Sequence, residues 1–172
     1  MCSQLLCLAP RYSPAAKEMP SSPQRLQRAR DVVPDKMPFY TPMDLLFRRN
    51  APKQAAMDEA IKHDWPMNIA IVDSGANLVA FLRMDGALLA SIAVAEQKAR
   101  TAAKFRRPTK ALEDAIQKLD YKFVLSVDDV IAARGGIPLL EDGKIIGAIG
   151  CSGGAGSQDE AVCMAGAATI SK

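Results

Sequence analysis

Residues 98–107 contain the densest group of side chains in the sequence that could bind an anion. The group consists of Lys98, Arg100, Thr101, Lys104, Arg106 and Arg107. Arginine pairs with a carboxylate through two parallel hydrogen bonds, so the group predicts a site for the carboxylates or propionates of a small ligand. The alternative is a solvated cluster of cations favoured by the negative end of a helix dipole. From the residues alone, this second interpretation is favoured.

A glycine-rich run at residues 147–156 is the second candidate site. Backbone N–H groups in such a run, followed by a helix N-terminus, can hold an anion. The run lacks GxxxxGK(S/T), and no GxGxxG follows a parallel strand, so it is weak as a nucleotide motif. The alternative is that its glycines allow close strand packing and a turn. If a small carboxylate binds, the candidate ligands are Arg100, Arg107, Arg134 and the backbone amides of Gly135, Gly136, Gly153 and Gly154.

Histidine and cysteine usage argues against a metal site. His63 is the only histidine, which excludes a histidine-rich metal site and a Ser-His-Asp triad, and its position predicts a surface residue at a helix end. The four cysteines have no CxxC spacing, so neither a zinc site nor a disulfide is predicted, and a reducing, cytoplasmic location follows. Cys151 is interpreted as a small packing residue. Nothing in these residues establishes that the protein is an enzyme.

Positive charge is concentrated in the first part of the chain. Residues 1–50 hold eight Lys/Arg and four Asp/Glu, a net charge of +4, whereas residues 51–172 hold fourteen and fifteen, a net charge of −1. Without a basic face on the body of the protein, nucleic-acid binding is excluded. No apolar run reaches the roughly 20 residues of a membrane span. We expect residues 1–36 to be a disordered extension and residues 37–172 to form one domain, with Met37 as a candidate natural start.

Periodicity and turn residues predict the elements that carry these candidates. We expect helices at residues 52–65, 88–105, 110–119 and 157–170, and strands at residues 67–72, 78–84, 121–127, 137–141 and 144–150. Asp142-Gly143 between two β-branched runs is a strong hairpin signal. Ser157 with Glu160 forms a capping box for the last helix, and Thr109 caps the third. Because both strong strand pairs are hairpins, the prediction is an α+β fold, an antiparallel β-sheet flanked by helices.

The body of the chain, from about residue 53 onward, resembles a family of small heme-binding and heme-degrading proteins. The order and spacing of several short motifs together carry the resemblance. The motifs are MNIAIVDSG at residues 67–75, LVAF at 78–81, RMDGA at 83–87, ASI at 90–92, KARTAAKF at 98–105, RPT at 107–109, GGIPL at 135–139, GAIGCSGG at 147–154 and QDE at 158–160. Residues 1–36 and the start of the first helix, residues 45–52, depart from the family pattern, and no ExxE pair of the surface iron-binding kind is present.

The resemblance implies a profilin-like fold assembled into homo-oligomers, tetramers or octamers, in which heme binds at subunit interfaces. It also implies Thr101 as the candidate iron ligand, with Lys98 and Arg107 near the propionates and Phe105 as a further cofactor-binding candidate. A threonine hydroxyl is a weaker iron ligand than histidine.

Three functional hypotheses follow. The first is a cytoplasmic, oligomeric protein that binds heme or another tetrapyrrole and assists heme handling or degradation. The second is an enzyme or accessory factor of small carboxylic or aromatic acid catabolism that binds an anionic metabolite. The third is a structural oligomer without a ligand.

Overall fold

Two hairpins build the central sheet of the protein. The computed structural model describes residues 44–170, with side chains from Asn50 onward, and these belong to the unit Pro42–Lys172. The predicted extension, residues 1–36, and Met37 lie outside the described residues. In chain order the elements are α1 (Asp44–Lys62), β1 (Asn68–Asp73), β2 (Leu78–Arg83), α2 (Ala90–Phe105), α3 (Thr109–Leu119), a 3-10 helix (Lys122–Ser126), β3 (Gly136–Glu141), β4 (Lys144–Ser152) and α4 (Gly156–Ala167).

The four strands lie in the order β2-β1-β4-β3, and every neighbouring pair is antiparallel. The predicted Asp142-Gly143 turn joins β3 to β4, and both residues have positive φ, 49° and 73°. This backbone matches the right-handed twist of a two-residue hairpin. The predicted α+β fold with an antiparallel sheet flanked by helices is therefore confirmed.

Successive side chains along each strand point to opposite faces of the sheet, and the core therefore has two layers. Ile69 and Ile71 point toward α1 and α4, whereas Ala70 and Val72 point toward α2. The α2 layer is almost entirely alanine, and the helix lies so close to the sheet that a Cβ on Gly150 would fall 2.5 Å from the backbone nitrogen of Ala99. The small alanine side chains of α2 thus allow backbone contact between this helix and β4.

The first helix begins earlier than its sequence suggests. Proline favours the first turn of a helix, and we expected α1 to start near Pro52, but the helix starts at Asp44 and contains Pro52 in its interior. An interior proline removes one backbone hydrogen bond. Pro52 is fully buried, and its carbonyl lies against Gly166 of α4, so tertiary packing outweighs the local preference.

Two further expectations about local structure are wrong. The stretch expected as a strand at residues 121–127 contains a 3-10 helix, in which only Val124 is buried, and it is not part of the four-stranded sheet. The last helix begins at Gly156, not after a Ser157 cap, and Gln158 Oε1 accepts the Ala155 N–H at 2.8 Å. The glycines before α4 let the chain turn into the helix earlier than the capping-box pattern indicated.

A disulfide between Cys151 of β4 and Cys163 of α4 corrects the expectation that no disulfide forms. Both residues are fully buried, and their Cα atoms are 5.7 Å apart. The short connection from β4 to α4 returns the chain over the same side of the sheet, so two cysteines 12 positions apart meet in the core. Cysteine spacing alone does not contain this information.

Candidate ligand-binding site

The glycine-rich connection between β4 and α4 surrounds a carboxylate that belongs to the chain itself. Asp159 Oδ1 accepts the backbone N–H groups of Gly153 and Gly154 at 3.1 and 3.0 Å. The other oxygen, Oδ2, lies 2.6 Å from Lys98 Nζ. The amides that we singled out as an anion-binding nest are therefore occupied by Asp159.

Lys98 projects from α2 into this buried region. Its ammonium also donates to the carbonyl of Cys151 at 3.2 Å, and the Lys98 and Asp159 side chains are only 3% and 4% exposed. A buried charge is stabilised only when it is paired and hydrogen-bonded, and both conditions are met within the chain. Lys98 thus connects α2 to α4 and does not point toward the surface.

At Gly135 the backbone lies directly against the Lys98–Asp159 ion pair. Its φ of 112° disfavours any residue with a side chain. A Cβ at this position would lie 2.8 Å from Asp159 Cβ and 2.9 Å from the Cys151 carbonyl oxygen. Gly136 follows, and Thr109 Oγ1 accepts its N–H at 2.9 Å. Thr109 therefore holds the start of β3 and does not cap α3 with its side chain.

Arg134 is paired with Glu113 of α3. Its Nε and Nη2 lie 2.9 and 2.7 Å from Glu113 Oε1, and its backbone N–H donates to Oε2 at 2.7 Å. These hydrogen bonds lower the pKa of the Glu113 carboxyl and raise the pKa of the Arg134 guanidinium. The arginine that we expected to bind a carboxylate ligand binds a carboxylate of this chain.

Thr101 is completely buried. Its hydroxyl oxygen accepts the Ile131 N–H at 3.0 Å and so anchors the loop before β3 to α2. One turn later, Phe105 is half-buried at the end of the helix. Thr101 is therefore hydrogen-bonded inside the chain, and Phe105 lies closer to solvent.

The remaining cations of residues 98–107 divide into paired and unpaired groups. Arg100 contacts Glu96 at 3.1 Å, and Lys104 contacts Asp129 at 2.6 Å. The hydrogen bond from Lys104 lowers the pKa of the Asp129 carboxyl. Arg106 and Arg107 are exposed, and within residues 44–170 no carboxylate pairs with either guanidinium. Among the cations of residues 98–107, Arg106 and Arg107 are therefore the two available to an external anion.

A cavity of about 340 Å³ opens beside Arg106. It lies between the end of α2 and the turns that close the two hairpins. Its lining residues are Ser74, Ala103, Arg106, Gly143, Lys144 and Ile145. Arg106 and Lys144 make this cavity positively charged.

His63 lies at the surface after the end of α1, as its position in the sequence predicts. Its ring stacks on Trp65 with centroids 4.5 Å apart, and its Nε2 lies 3.0 Å from Glu59 Oε1. The hydrogen bond from His63 lowers the pKa of Glu59. No group of three or more His, Cys, Asp and Glu side chains in the described part of the chain could hold a metal ion.

The family model of the haem degrading, HbpS-like proteins matches residues 52–168. This chain belongs to that family. The match extends from α1 through α4, and so it includes every element of the site described above. As an HbpS-like protein, the chain can be compared with relatives whose sequences or structures are known.

Among curated proteins, the HbpS-like chain is 40% identical to protein GlcG of Escherichia coli over 98 residues, which are 57% of this chain and 72% of GlcG. It is also 32% identical over 120 residues to the corrinoid adenosyltransferase PduO of Salmonella typhimurium. That match covers 68% of this chain but only 36% of PduO. The similarity is thus to one part of the longer enzyme.

Among solved structures, this HbpS-like chain is similar to the PduOC:heme complex, with a TM-score of 0.65 and 31% identity over 70% of this chain and 90% of that one. It is also similar to a double mutant of Streptomyces reticuli HbpS, with a TM-score of 0.69 and 26% identity over 83% of this chain and 92% of that one. The resemblance inferred from the sequence motifs is confirmed.

Sequence reasoning located the candidate side chains but missed which of them bind each other. Lys98 and Asp159 are separated by 61 positions, and no periodicity connects residues so far apart. The one local signal was an acidic residue shortly after the pair Gly153-Gly154. A carboxylate there can accept the free N–H groups at a helix start, and this would have indicated that the nest contains its own anion.

Proposed function

We propose that this protein binds heme or a related tetrapyrrole at the surface near the end of α2. The observation that carries the proposal is the similarity to the PduOC:heme complex, which extends over 90% of that chain. Within this chain, the exposed guanidiniums of Arg106 and Arg107 fit the carboxylates of a tetrapyrrole. Phe105 supplies an aromatic side chain next to them. Assistance in heme handling or degradation is part of the same proposal.

The iron ligand in this proposal is Thr101, a role that would require a local rearrangement. Thr101 Oγ1 accepts the Ile131 N–H, so ligation would require residues near Ile131 to move. Lys98, bonded to Asp159, supports the middle of α2 and would not contact the propionates. His63 is the one imidazole of the chain and is 40% exposed, which makes it the competing ligand that an experiment must separate from Thr101.

Hemin titration followed at the Soret band tests the proposal. We expect a saturable shift, a weaker one in Arg107→Gln, and an unchanged one in Lys122→Gln, which removes an exposed positive charge elsewhere. Loss of the spectrum of the bound form in Thr101→Ala, with retention in His63→Ala, supports Thr101 as the ligand, and the reverse result assigns His63. A wild-type protein without a saturable shift would overturn the proposal.

We also propose that the protein is a homo-oligomer, a tetramer or octamer, located in the cytoplasm. Support for assembly comes from exposed apolar side chains at the end of α3 and in the segment that follows it, namely Leu119, Tyr121, Phe123, Leu125 and Val127, which are 42–68% exposed. We inferred a reducing compartment from the spacing of the cysteines. Because Cys151 and Cys163 form a disulfide, this spacing no longer supports that location. No helix within residues 44–170 is long and apolar enough to cross a membrane. Fractionation of native cells would test the location.

The second hypothesis, binding of an anionic metabolite by an enzyme or accessory factor, loses most of its expected ligands, although Arg107 stays exposed. Gly153 and Gly154 bind Asp159, and Arg134 binds Glu113. We therefore do not propose an anion site at these residues.

A further inference from the structure

Residues 128–134, which we call the strap, lie between the 3-10 helix and β3 and contact α2. The strap contains no helix or strand. Within the described residues, no backbone–backbone hydrogen bond joins it to another element. Hydrogen bonds and ion pairs that involve side chains therefore hold it in place. Segments attached in this way open locally at a small cost in free energy.

Asp129 makes the ionic contact between the strap and α2. Its Oδ2 lies 2.6 Å from Lys104 Nζ, and its Oδ1 lies 3.9 Å from Arg100 Nη1. The two cations are four residues apart in the helix and so are neighbours on its surface. Arg100 is also 3.1 Å from Glu96. Lys104 is therefore the principal partner of Asp129.

Two residues farther along the strap, Ile131 contacts Thr101. The Ile131 N–H donates to Thr101 Oγ1 at 3.0 Å, and the threonine is completely buried. Phe105 follows Thr101 by four residues, which places it on the same face of α2, and it is half-buried. The strap thus occupies the hydroxyl of Thr101, whereas the next turn of the same helix face is partly open to solvent.

The backbone of Asp129 is held in an unfavourable conformation. Its φ is 58°, in the left-handed region that residues with a side chain adopt rarely and that aspartate and asparagine tolerate best. Such conformations persist where surrounding contacts hold them. At Asp129 these contacts are the ion pairs with Lys104 and Arg100, so their loss would favour release of the strap.

From these contacts we propose that the strap closes over Thr101 and that the ion pairs of Asp129 determine how often it opens. Opening breaks the hydrogen bond between Ile131 and Thr101 and frees the hydroxyl oxygen for an external ligand. The part of this inference that concerns heme rests on the proposed function, in which Thr101 is the iron ligand. Asp129 is then a positioning residue, because it acts on Thr101 only through the strap.

Hydrogen exchange of the Ile131 amide in the heme-free protein tests the opening of the strap. Asp129→Asn removes the charge, and asparagine tolerates the left-handed backbone. We expect Ile131 to exchange about fivefold faster in this variant, because exchange follows the open fraction and partly exposed ion pairs contribute up to a factor of that size.

Asp128→Asn is the matched control for this measurement. Asp128 is adjacent and exposed, and among the described residues no cation forms an ion pair with it. Its substitution removes the same charge and should leave Ile131 exchange unchanged. Equal exchange rates of Ile131 in the two variants would overturn the proposal.

Hemin titration of the same variants tests whether opening controls access to Thr101. The apparent affinity of a ligand scales with the fraction of molecules in the competent state, so Asp129→Asn should bind hemin about fivefold more tightly than wild type. Asp128→Asn should bind as wild type does, which accounts for any general effect of charge. Addition of Thr101→Ala to Asp129→Asn should remove the gain, since the hydroxyl that opening frees is then missing.

The two measurements separate failure of this inference from failure of the proposed function. Faster Ile131 exchange with unchanged or weaker hemin binding in Asp129→Asn would show that the strap does not control the site. That result would overturn the inference and leave the proposed function intact. Absence of saturable hemin binding in wild type and both variants would overturn the proposed function and the role of Thr101, while Ile131 exchange would still decide whether Asp129 holds the strap.

Discussion

Lys98 Nζ and Asp159 Oδ2 are 2.6 Å apart inside the protein and join α2 to α4 across the end of β4. The carboxylate also accepts the N–H groups of Gly153 and Gly154. Two regions of the chain separated by 61 positions, α2 and the start of α4, therefore depend on one ion pair. Similar buried pairs are costly to break because the remaining charge has no compensation.

Lys98→Met should lower the free energy of unfolding by about 3–5 kcal/mol, the range for removal of one partner from a buried ion pair. Urea denaturation would measure the change. The double variant Lys98→Met with Asp159→Asn should recover part of the loss, because no uncompensated charge remains. A single variant within about 0.5 kcal/mol of wild type, the range of ordinary surface substitutions, would contradict the prediction.

Reduction of the Cys151–Cys163 disulfide should lower the free energy of unfolding by about 3 kcal/mol, the entropic value for a loop of this length. Denaturation with and without dithiothreitol would measure the effect. The variant with both cysteines changed to alanine serves as control, because its stability should not respond to the reductant. Equal stability of the oxidised and reduced wild type would show that the disulfide contributes nothing.

Gly135→Ala should destabilise the protein by more than 2 kcal/mol, because steric contact adds to the roughly 1–2 kcal/mol of a left-handed backbone. Gly143→Ala is the matched control. Gly143 also has positive φ, 73°, but no atom lies within 4 Å of the Cβ position. It should therefore lose only the backbone contribution. Thermal unfolding of both variants checks the difference, and equal losses would show that contacts around Gly135 are unimportant.

The Glu113–Arg134 pair should stabilise the protein only at pH values where Glu113 is ionised. Its folded-state pKa is lowered from 4.5 by the hydrogen bonds from Arg134, so the contribution is complete above the unfolded pKa and disappears as the pH falls through the folded pKa. Glu113→Gln should cost about 1 kcal/mol at pH 7. Urea denaturation from pH 7 to pH 3 should show this difference shrinking, whereas a pH-independent difference would exclude the ionic origin.

Phe123→Glu should reduce the mass of the assembly measured by light scattering. Phe123 is 62% exposed in an apolar segment, and a buried unpaired carboxylate at a subunit contact is unfavourable. Ile61→Glu, at another exposed apolar position, should leave the mass unchanged. An assembly that withstands Phe123→Glu would place its contacts elsewhere.

The hairpins and the alanine helix could be predicted because their signals are local. Asp142-Gly143 contains its own turn preference, and the alanines of α2 recur with helical spacing. The start of α1 could not be predicted from the sequence, since Pro52 is buried against α4, a helix more than a hundred residues away. For the site, the sequence identified Lys98, Arg134 and Gly153 as candidates, but their partners are Asp159 and Glu113. Whether a charge faces solvent or another charge depends on the folded arrangement.

The small-residue contact between α2 and the sheet has a mechanical consequence. A smooth alanine and glycine surface resists separation but offers little resistance to sliding along the helix axis. Among the residues that the structure describes, Lys98 makes the one buried ion pair of α2, and this pair restrains the helix along its axis. The 16 residues of α2 span roughly 24 Å. Loss of the ion pair would therefore let the two ends of the helix, this far apart, shift together as one rigid unit.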